Sequence, residues 1–146
     1  MRTVLIVDDN PLIRTGIRRI LENTSGWTAC GEAASGAQAL QLAAEVNPDV
    51  IVMDLSMPGI DGLEATQNIK ENFASAKILL LTAYLSKDLA EIAFRAGVNG
   101  YLPKTATRHE LIRALDTVAQ GCLYVSPAIL ESIEGDLNDL ASPALH

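Results

Sequence analysis

Val50-Ile-Val-Met-Asp54-Leu-Ser-Met-Pro58-Gly-Ile-Asp-Gly62 is the stretch whose reading decides the fold. Four apolar residues run straight into an aspartate, and a Pro-Gly and an Asp-Gly turn pair follow at once. An apolar run this short, closed by turn residues, predicts a buried strand and not a helix. Asp54 is then the last residue of that strand. In open α/β sheets, ligands bind beyond the carboxyl ends of the strands, so this carboxylate stands where such folds do their chemistry. An isolated Asp after a strand is more commonly a turn or capping residue. The rest of the chain decides between the two.

Upstream, residues 3–7 form an apolar run ending at Asp8-Asp9-Asn10-Pro11. This predicts a strand, then a helix capped by Asn10 with Pro11 at its first position. Ile13, Ile17, Ile20 and Leu21 mark one face of that helix, and Arg14, Arg18 and Arg19 another. Residues 27–33 read as a weaker strand. Ser35-Gly36 opens a second helix, with Ala39, Leu40, Ala43 and Ala44 inward, and Asn47-Pro48-Asp49 stops it. Downstream come a helix over 62–73 (Leu63, Ile69 and Phe73 on one face), a strand over 77–82 and a helix over 86–96 ended by Gly97. A short strand over 100–103 follows. Thr107 then caps a helix over 108–120, with Leu111, Leu115, Val118 and Ala119 at helical spacing and Gly121 closing it. Five strands alternating with five helices predict an α/β domain with a parallel sheet covered on both faces. After Leu123-Tyr-Val125 the pattern changes. Ser126-Pro127 offers a cap for one more helix over 128–140, and the last residues read as an exposed linker.

A chain of 146 residues is long enough for one domain with a real core. Aromatic residues are only 4%, so that core is Leu, Ile, Val and Ala. Of the net charge of −7, four acids (Glu131, Glu134, Asp136, Asp139) lie in the last 21 residues, leaving −3 for the rest. That balance carries no electrostatic footprint for nucleic acid. Cys30 and Cys122 lack metal-ligand spacing and are expected to be two small buried hydrophobes in a reducing compartment. The apolar start, residues 4–7, is too short for a signal peptide or a membrane span. A cytoplasmic protein without membrane contact is expected.

In a parallel sheet, all strand carboxyl ends share one edge. Asp8-Asp9, Asp54, Thr82-Ala83 and Lys104 therefore converge at one rim. Each has a plainer reading alone: a solvated turn, a β-prone residue, an exposed charge. Together, three carboxylates repel unless a cation is present, and hard oxygen ligands favour Mg²⁺. A carboxylate beside Mg²⁺ and an ammonium is suited to accept a phosphoryl group. Thr82 can hydrogen-bond a phosphate oxygen, and Ala83 leaves room for it.

These residues, with Met57-Pro-Gly-Ile-Asp-Gly62 and Tyr101, resemble the receiver domain of two-component response regulators over about residues 1–121. The resemblance implies a flavodoxin-like (βα)5 three-layer sandwich with a parallel five-stranded sheet in the order 2-1-3-4-5, followed by a C-terminal linker helix. It implies that Asp54 is the phosphoacceptor, that Asp9 binds Mg²⁺ directly with Asp8 acting mostly through water, and that Asp54 and the Ser56 backbone carbonyl complete the protein ligands. Lys104 would pair with Asp54 or the phosphoryl group. Thr82 and Tyr101 would form the switch, Tyr101 swinging inward. The implied partner is a sensor histidine kinase, and a homodimer would use the helix 1/helix 5 or helix 4/helix 5 faces. No enzyme activity is implied beyond self-phosphorylation and dephosphorylation at Asp54. Where many members carry Pro after the lysine, this chain has Thr105. A cis bond at a non-proline residue costs about 3–4 kcal/mol, so a trans peptide is expected.

Residues 121–127 also resemble the receiver exit of the NarL/FixJ subfamily, whose C-terminal helix-turn-helix output binds DNA. The expected division is a receiver over 1–121 and a linker over 122–146, in a chain truncated from a longer regulator. DNA would be reached only through that output. Two other functions compete. A metal-dependent phosphatase-like hydrolase would need an acid two residues after Asp54, where Ser56 stands. A flavodoxin-like binding module would need a Gly- or Ser/Thr-rich phosphate loop after the first strand, where Asp8-Asp9 stands.

Overall fold

The computed structural model describes residues 1–129 apart from Pro58 and Leu85. Its elements are β1 (Arg2–Val7), α1 (Pro11–Glu22), β2 (Trp27–Ala33), α2 (Gly36–Val46), β3 (Val50–Asp54), α3 (Gly62–Asn72), β4 (Ile78–Thr82), α4 (Lys87–Ala96), β5 (Gly100–Pro103), α5 (Arg108–Ala119) and β6 (Tyr124–Val125). All strand pairs are parallel, in the order β2-β1-β3-β4-β5-β6.

Strand parity sorts the core into two layers, because successive side chains point to opposite faces. Leu5, Val7, Ile51, Met53, Ile78, Leu80 and Tyr101 face Ala39, Ala43, Ala65, Ile69, Ala90 and Ala93 of α2, α3 and α4. Val4, Ile6, Val50, Val52, Leu79, Leu81 and Leu102 face Ile17 and Leu21 of α1 and Leu111, Ala114, Leu115 and Val118 of α5. Burial on both faces is why the central strands read as unbroken apolar runs. Each helix starts at a capping side chain: Asn10, Ser35, Asp61, Ser86 and Thr107 accept hydrogen bonds from the N–H groups of Leu12, Gln38, Glu64, Leu89 and Glu110. Among the described residues, no helix is long and apolar enough to cross a membrane.

The sheet differs from expectation by its sixth strand. Tyr124 N–H donates to the Asn99 carbonyl at 2.9 Å and Ser126 N–H to the Tyr101 carbonyl at 3.1 Å, so the chain after α5 pairs with the open edge of β5. Ser126 Oγ donates to Glu110 Oε1 on α5 at 2.8 Å, and Ile129 is fully buried in the α4-side core. Two residues are too short to show a period of two, so tertiary pairing alone defines this strand. Ala44 is exposed, because Ala39 and Ala43 already fill the α2 contact with the sheet. Cys30 is half-buried and packs against the core, whereas Cys122, in the turn between α5 and β6, is exposed and is not the buried hydrophobe expected. Of the helix expected over 128–140, all but 128–129 lies outside the described residues, as does the rest of the linker.

Candidate functional site

The parallel sheet brings Asp8, Asp9, Asp54 and Lys104 together at its carboxyl rim. Asp8 follows the last residue of β1, and its N–H extends the ladder by donating to the Ala33 carbonyl at 3.0 Å. Its Oδ1 accepts from Asn10 N–H at 2.8 Å, which turns the chain into α1. Among the described residues its Oδ2, buried, has no hydrogen-bond partner. Lys104 Nζ stands 3.4 Å from that oxygen, within ion-pair distance. Asp9 is exposed beside it. One carboxylate oxygen each from Asp8, Asp9 and Asp54 lie within 4.8 Å of one another.

Asp54 ends β3 with its side chain only 2% exposed. Its Oδ1 lies 3.0 Å from Lys104 Nζ and accepts from Ser56 N–H at 3.2 Å. Lys104 is placed by its own N–H, which donates to the Thr82 carbonyl at 2.8 Å across the β4–β5 ladder. The Lys104–Thr105 peptide is trans. Burial pushes the Asp54 carboxyl above its ordinary value, with Asp8 adding to the rise and the Lys104 hydrogen bond opposing it. At Lys104, burial pulls the ammonium down, but Asp54 and Asp8 outweigh it and hold the group above its ordinary value. Desolvation therefore dominates at the acid and ion pairing at the base. The loop after β3 folds back tightly, with Gly62 N–H donating to the Leu55 carbonyl at 2.8 Å. A Cβ at Gly62 would strike the Asp54 carbonyl oxygen and come within 2.9 Å of the Leu55 Cα, so only glycine lets α3 start this close to the acid.

Thr82 and Tyr101 share strand parity and point toward the α4 layer. The Thr82 hydroxyl donates to the Tyr84 carbonyl at 3.0 Å and accepts from Tyr84 N–H at 2.9 Å. Tyr101 is fully buried, already inside, and its hydroxyl donates to the same Tyr84 carbonyl at 3.1 Å. Burial pushes the Tyr101 phenol up, and the Thr82 hydroxyl draws it partly back. Ser56 is exposed at the rim.

Sequence reading missed two residues here. Arg14 was placed only on a polar helix face, yet it reaches the Asp8 carbonyl. Glu32, near the end of β2, takes hydrogen bonds from Arg14 Nε at 3.1 Å and from Arg18. The one available signal was an arginine about a turn beyond an acidic strand end, which is not specific.

An all-oxygen donor set with an unclaimed buried carboxylate oxygen fits a hard divalent cation. A buried acid at the end of a central strand, held by an ammonium, can accept an electrophile on its oxygen.

Comparison with known proteins agrees with this geometry. The sequence profile of the response regulator receiver domain matches residues 4–116. The chain is 41% identical over 133 residues to the response regulator UvrY of Escherichia coli (strain K12), covering 91% of this chain and 61% of UvrY. It is 38% identical over 133 residues to the response regulator GacA of Pseudomonas aeruginosa, covering 91% of this chain and 62% of GacA. The chain thus spans less than two thirds of the length of these relatives. The crystal structure of a two-component response regulator of the LuxR family from Aurantimonas sp. SI85-9A1 superposes with a TM-score of 0.88 at 36% identity, covering 92% of this chain and 96% of that one. The isolated REC domain of RcsB from Salmonella enterica serovar Typhimurium, determined with the phosphomimetic BeF3−, gives 0.81 at 26% identity, covering 89% of this chain and 96% of that one. With most of its length matched in sequence and in fold, the chain belongs to the response regulator receiver domain family.

Proposed function

We propose that this chain is a phosphorylation-activated signalling switch that accepts one phosphoryl group on Asp54 from a sensor histidine kinase. The observation that carries the reading is the buried Asp54 carboxylate, 3.0 Å from Lys104 and clustered with Asp8 and Asp9. An Asp54 carboxylate oxygen attacks phosphorus, an acyl phosphate forms, and the P–N bond to the donor histidine breaks. The imidazole leaves with the electron pair and takes a proton from solvent. Asp8, Asp9, Asp54 and the Ser56 backbone carbonyl are the groups that would hold Mg²⁺. When bound, that ion neutralises charge on the transferring oxygens. Lys104 supplies a second positive charge, passing from Asp54 to the phosphoryl group.

Thr82 gives up its Tyr84 partner to donate to a phosphoryl oxygen. The Tyr84 carbonyl is shared with Tyr101, so this exchange reaches the Tyr101 hydroxyl directly. A local charge event thereby biases the surface of α4, β5 and α5. Beyond its own phosphorylation and dephosphorylation, the domain is not an enzyme. The same reading makes 1–121 the receiver and 122–146 the link to a DNA-binding output, with the kinase partner placing both in the cytoplasm. Self-association would use the α1/α5 face, where Leu12 is 80% exposed, or the α4/α5 face, where Ile92 is 49% exposed.

Incubation with acetyl phosphate followed by intact mass measurement tests the reading. One added phosphoryl group that appears with Mg²⁺ and disappears with EDTA is expected. No adduct under either condition would overturn it.

A further inference from the structure

The Asp8 peptide is anchored at both ends to one edge of the sheet. Its N–H donates to the Ala33 carbonyl of β2. Its carbonyl lies past the last rungs of the ladders, Val7 against Ala33 and Val7 against Met53, and accepts from Arg14 Nη1. Arg14 Nε in turn donates to Glu32, which stands one residue before Ala33 on β2 and is also bonded by Arg18. Arg14 is only 17% exposed and Glu32 25%, so this is a half-buried bridge and not a surface pair. With the N–H, the carbonyl and Oδ1 all engaged, the Asp8 oxygen without a hydrogen bond among the described residues is Oδ2, inside the acidic cluster.

We propose that Arg14 is a positioning residue for the cation site: by locking the Asp8 carbonyl to Glu32, its guanidinium aims the Asp8 carboxylate at the ion. The inference rests on reading the acidic cluster as a cation site. It concerns neither the acceptor nor the chemical step, because the Arg14 hydrogen bond to Asp8 goes to its backbone carbonyl. Losing a group that orients a metal ligand typically costs about 10–100-fold in metal affinity or activity. A guanidinium can bridge two acceptors at fixed angles, whereas an ammonium acts as a point charge.

The test is Mn²⁺ binding to the whole chain, followed by electron paramagnetic resonance, for the unmodified protein and the Arg14→Ala, Arg14→Lys and Arg18→Ala variants. Arg14→Ala is expected to bind Mn²⁺ about tenfold more weakly, the usual scale for losing a group that orients a metal ligand. Arg14→Lys should fall between. Arg18 bonds Glu32 but makes no hydrogen bond to Asp8 among the described residues, so Arg18→Ala should stay within about twofold of the unmodified chain, as expected of a residue that shares no partner with the ion. In acetyl phosphate labelling, the Mg²⁺ concentration for half-maximal rate should rise in Arg14→Ala, while the rate at saturating Mg²⁺ is retained. A purely structural lesion would also lower the rate at saturating Mg²⁺. Equal Mn²⁺ affinity in Arg14→Ala and the unmodified chain would overturn the inference, and so would equal weakening by Arg14→Ala and Arg18→Ala. Absence of Mn²⁺ binding by the unmodified chain would overturn the cation-site reading and this inference with it.

Discussion

Asp54→Asn is expected to take up no phosphoryl group from acetyl phosphate, with or without Mg²⁺, while remaining folded. The amide keeps the shape of the carboxylate and can still accept from Ser56 N–H and Lys104 through its oxygen. What it loses is the charged oxygen that attacks phosphorus in the proposed reaction. The stability change should be small, within about 1–2 kcal/mol, because two terms oppose each other. Neutralisation relieves the burial of the acid and its repulsion by Asp8, and it weakens the pair with Lys104. Intact mass reads the first outcome and urea unfolding the second. An adduct at full stoichiometry in this variant would move the acceptor to another carboxylate of the cluster.

Lys104→Ala carries the largest expected loss of stability. Removing one partner of a buried pair leaves an uncompensated charge and costs about 3–5 kcal/mol. The lower end applies here, because Lys104 is 23% exposed and water can partly replace it. The loss depends on pH with a definite sign. Burial already holds the Asp54 carboxyl above its ordinary value, and the Lys104 hydrogen bond is the main force against that rise. Without Lys104 the carboxyl moves further up. A raised carboxyl means that the folded chain binds a proton which the unfolded chain has released. Stability is then fully present below the ordinary carboxylate range and falls as pH rises through the shifted titration. The deficit of the variant should be small in acid and grow toward neutrality. In EDTA it should be largest, and added Mg²⁺ should narrow it, because the ion binds only the folded state and binds the variant more tightly once the Lys104 charge beside Asp8 and Asp54 is gone. Urea unfolding across the pH range, with EDTA and with Mg²⁺, checks all three statements. A deficit independent of pH would show that Lys104 acts through packing alone.

Much of this was legible because parallel strands are buried on both faces. The runs ending at Val7, Asp54 and Thr82 carry no alternation to misread, and the helix starts at Asn10, Ser35, Ser86 and Thr107 are spelled by capping chemistry. Convergence of Asp8, Asp9, Asp54 and Lys104 followed from topology, since every parallel strand ends on one rim. The order of the strands did not follow from pattern and came only with the family resemblance. Illegible features depended on what distant residues offer. β6 exists because β5 has an open edge and Glu110 awaits Ser126. Arg14 looks like any solvent-facing arginine until the Asp8 carbonyl is found within its reach. The partnership of Thr82 and Tyr101 with one Tyr84 carbonyl is a loop conformation that no spacing rule specifies.

The central claim is that one acid, Asp54, carries the phosphoryl group. Borohydride reduces an aspartyl phosphate to homoserine, so reduction of the acetyl phosphate-treated chain followed by peptide sequencing marks the acceptor directly. Homoserine at position 54, and at no other aspartate, is the predicted result. Homoserine at position 8 or 9, or a phosphoryl group that resists reduction as a hydroxyl ester would, contradicts the account.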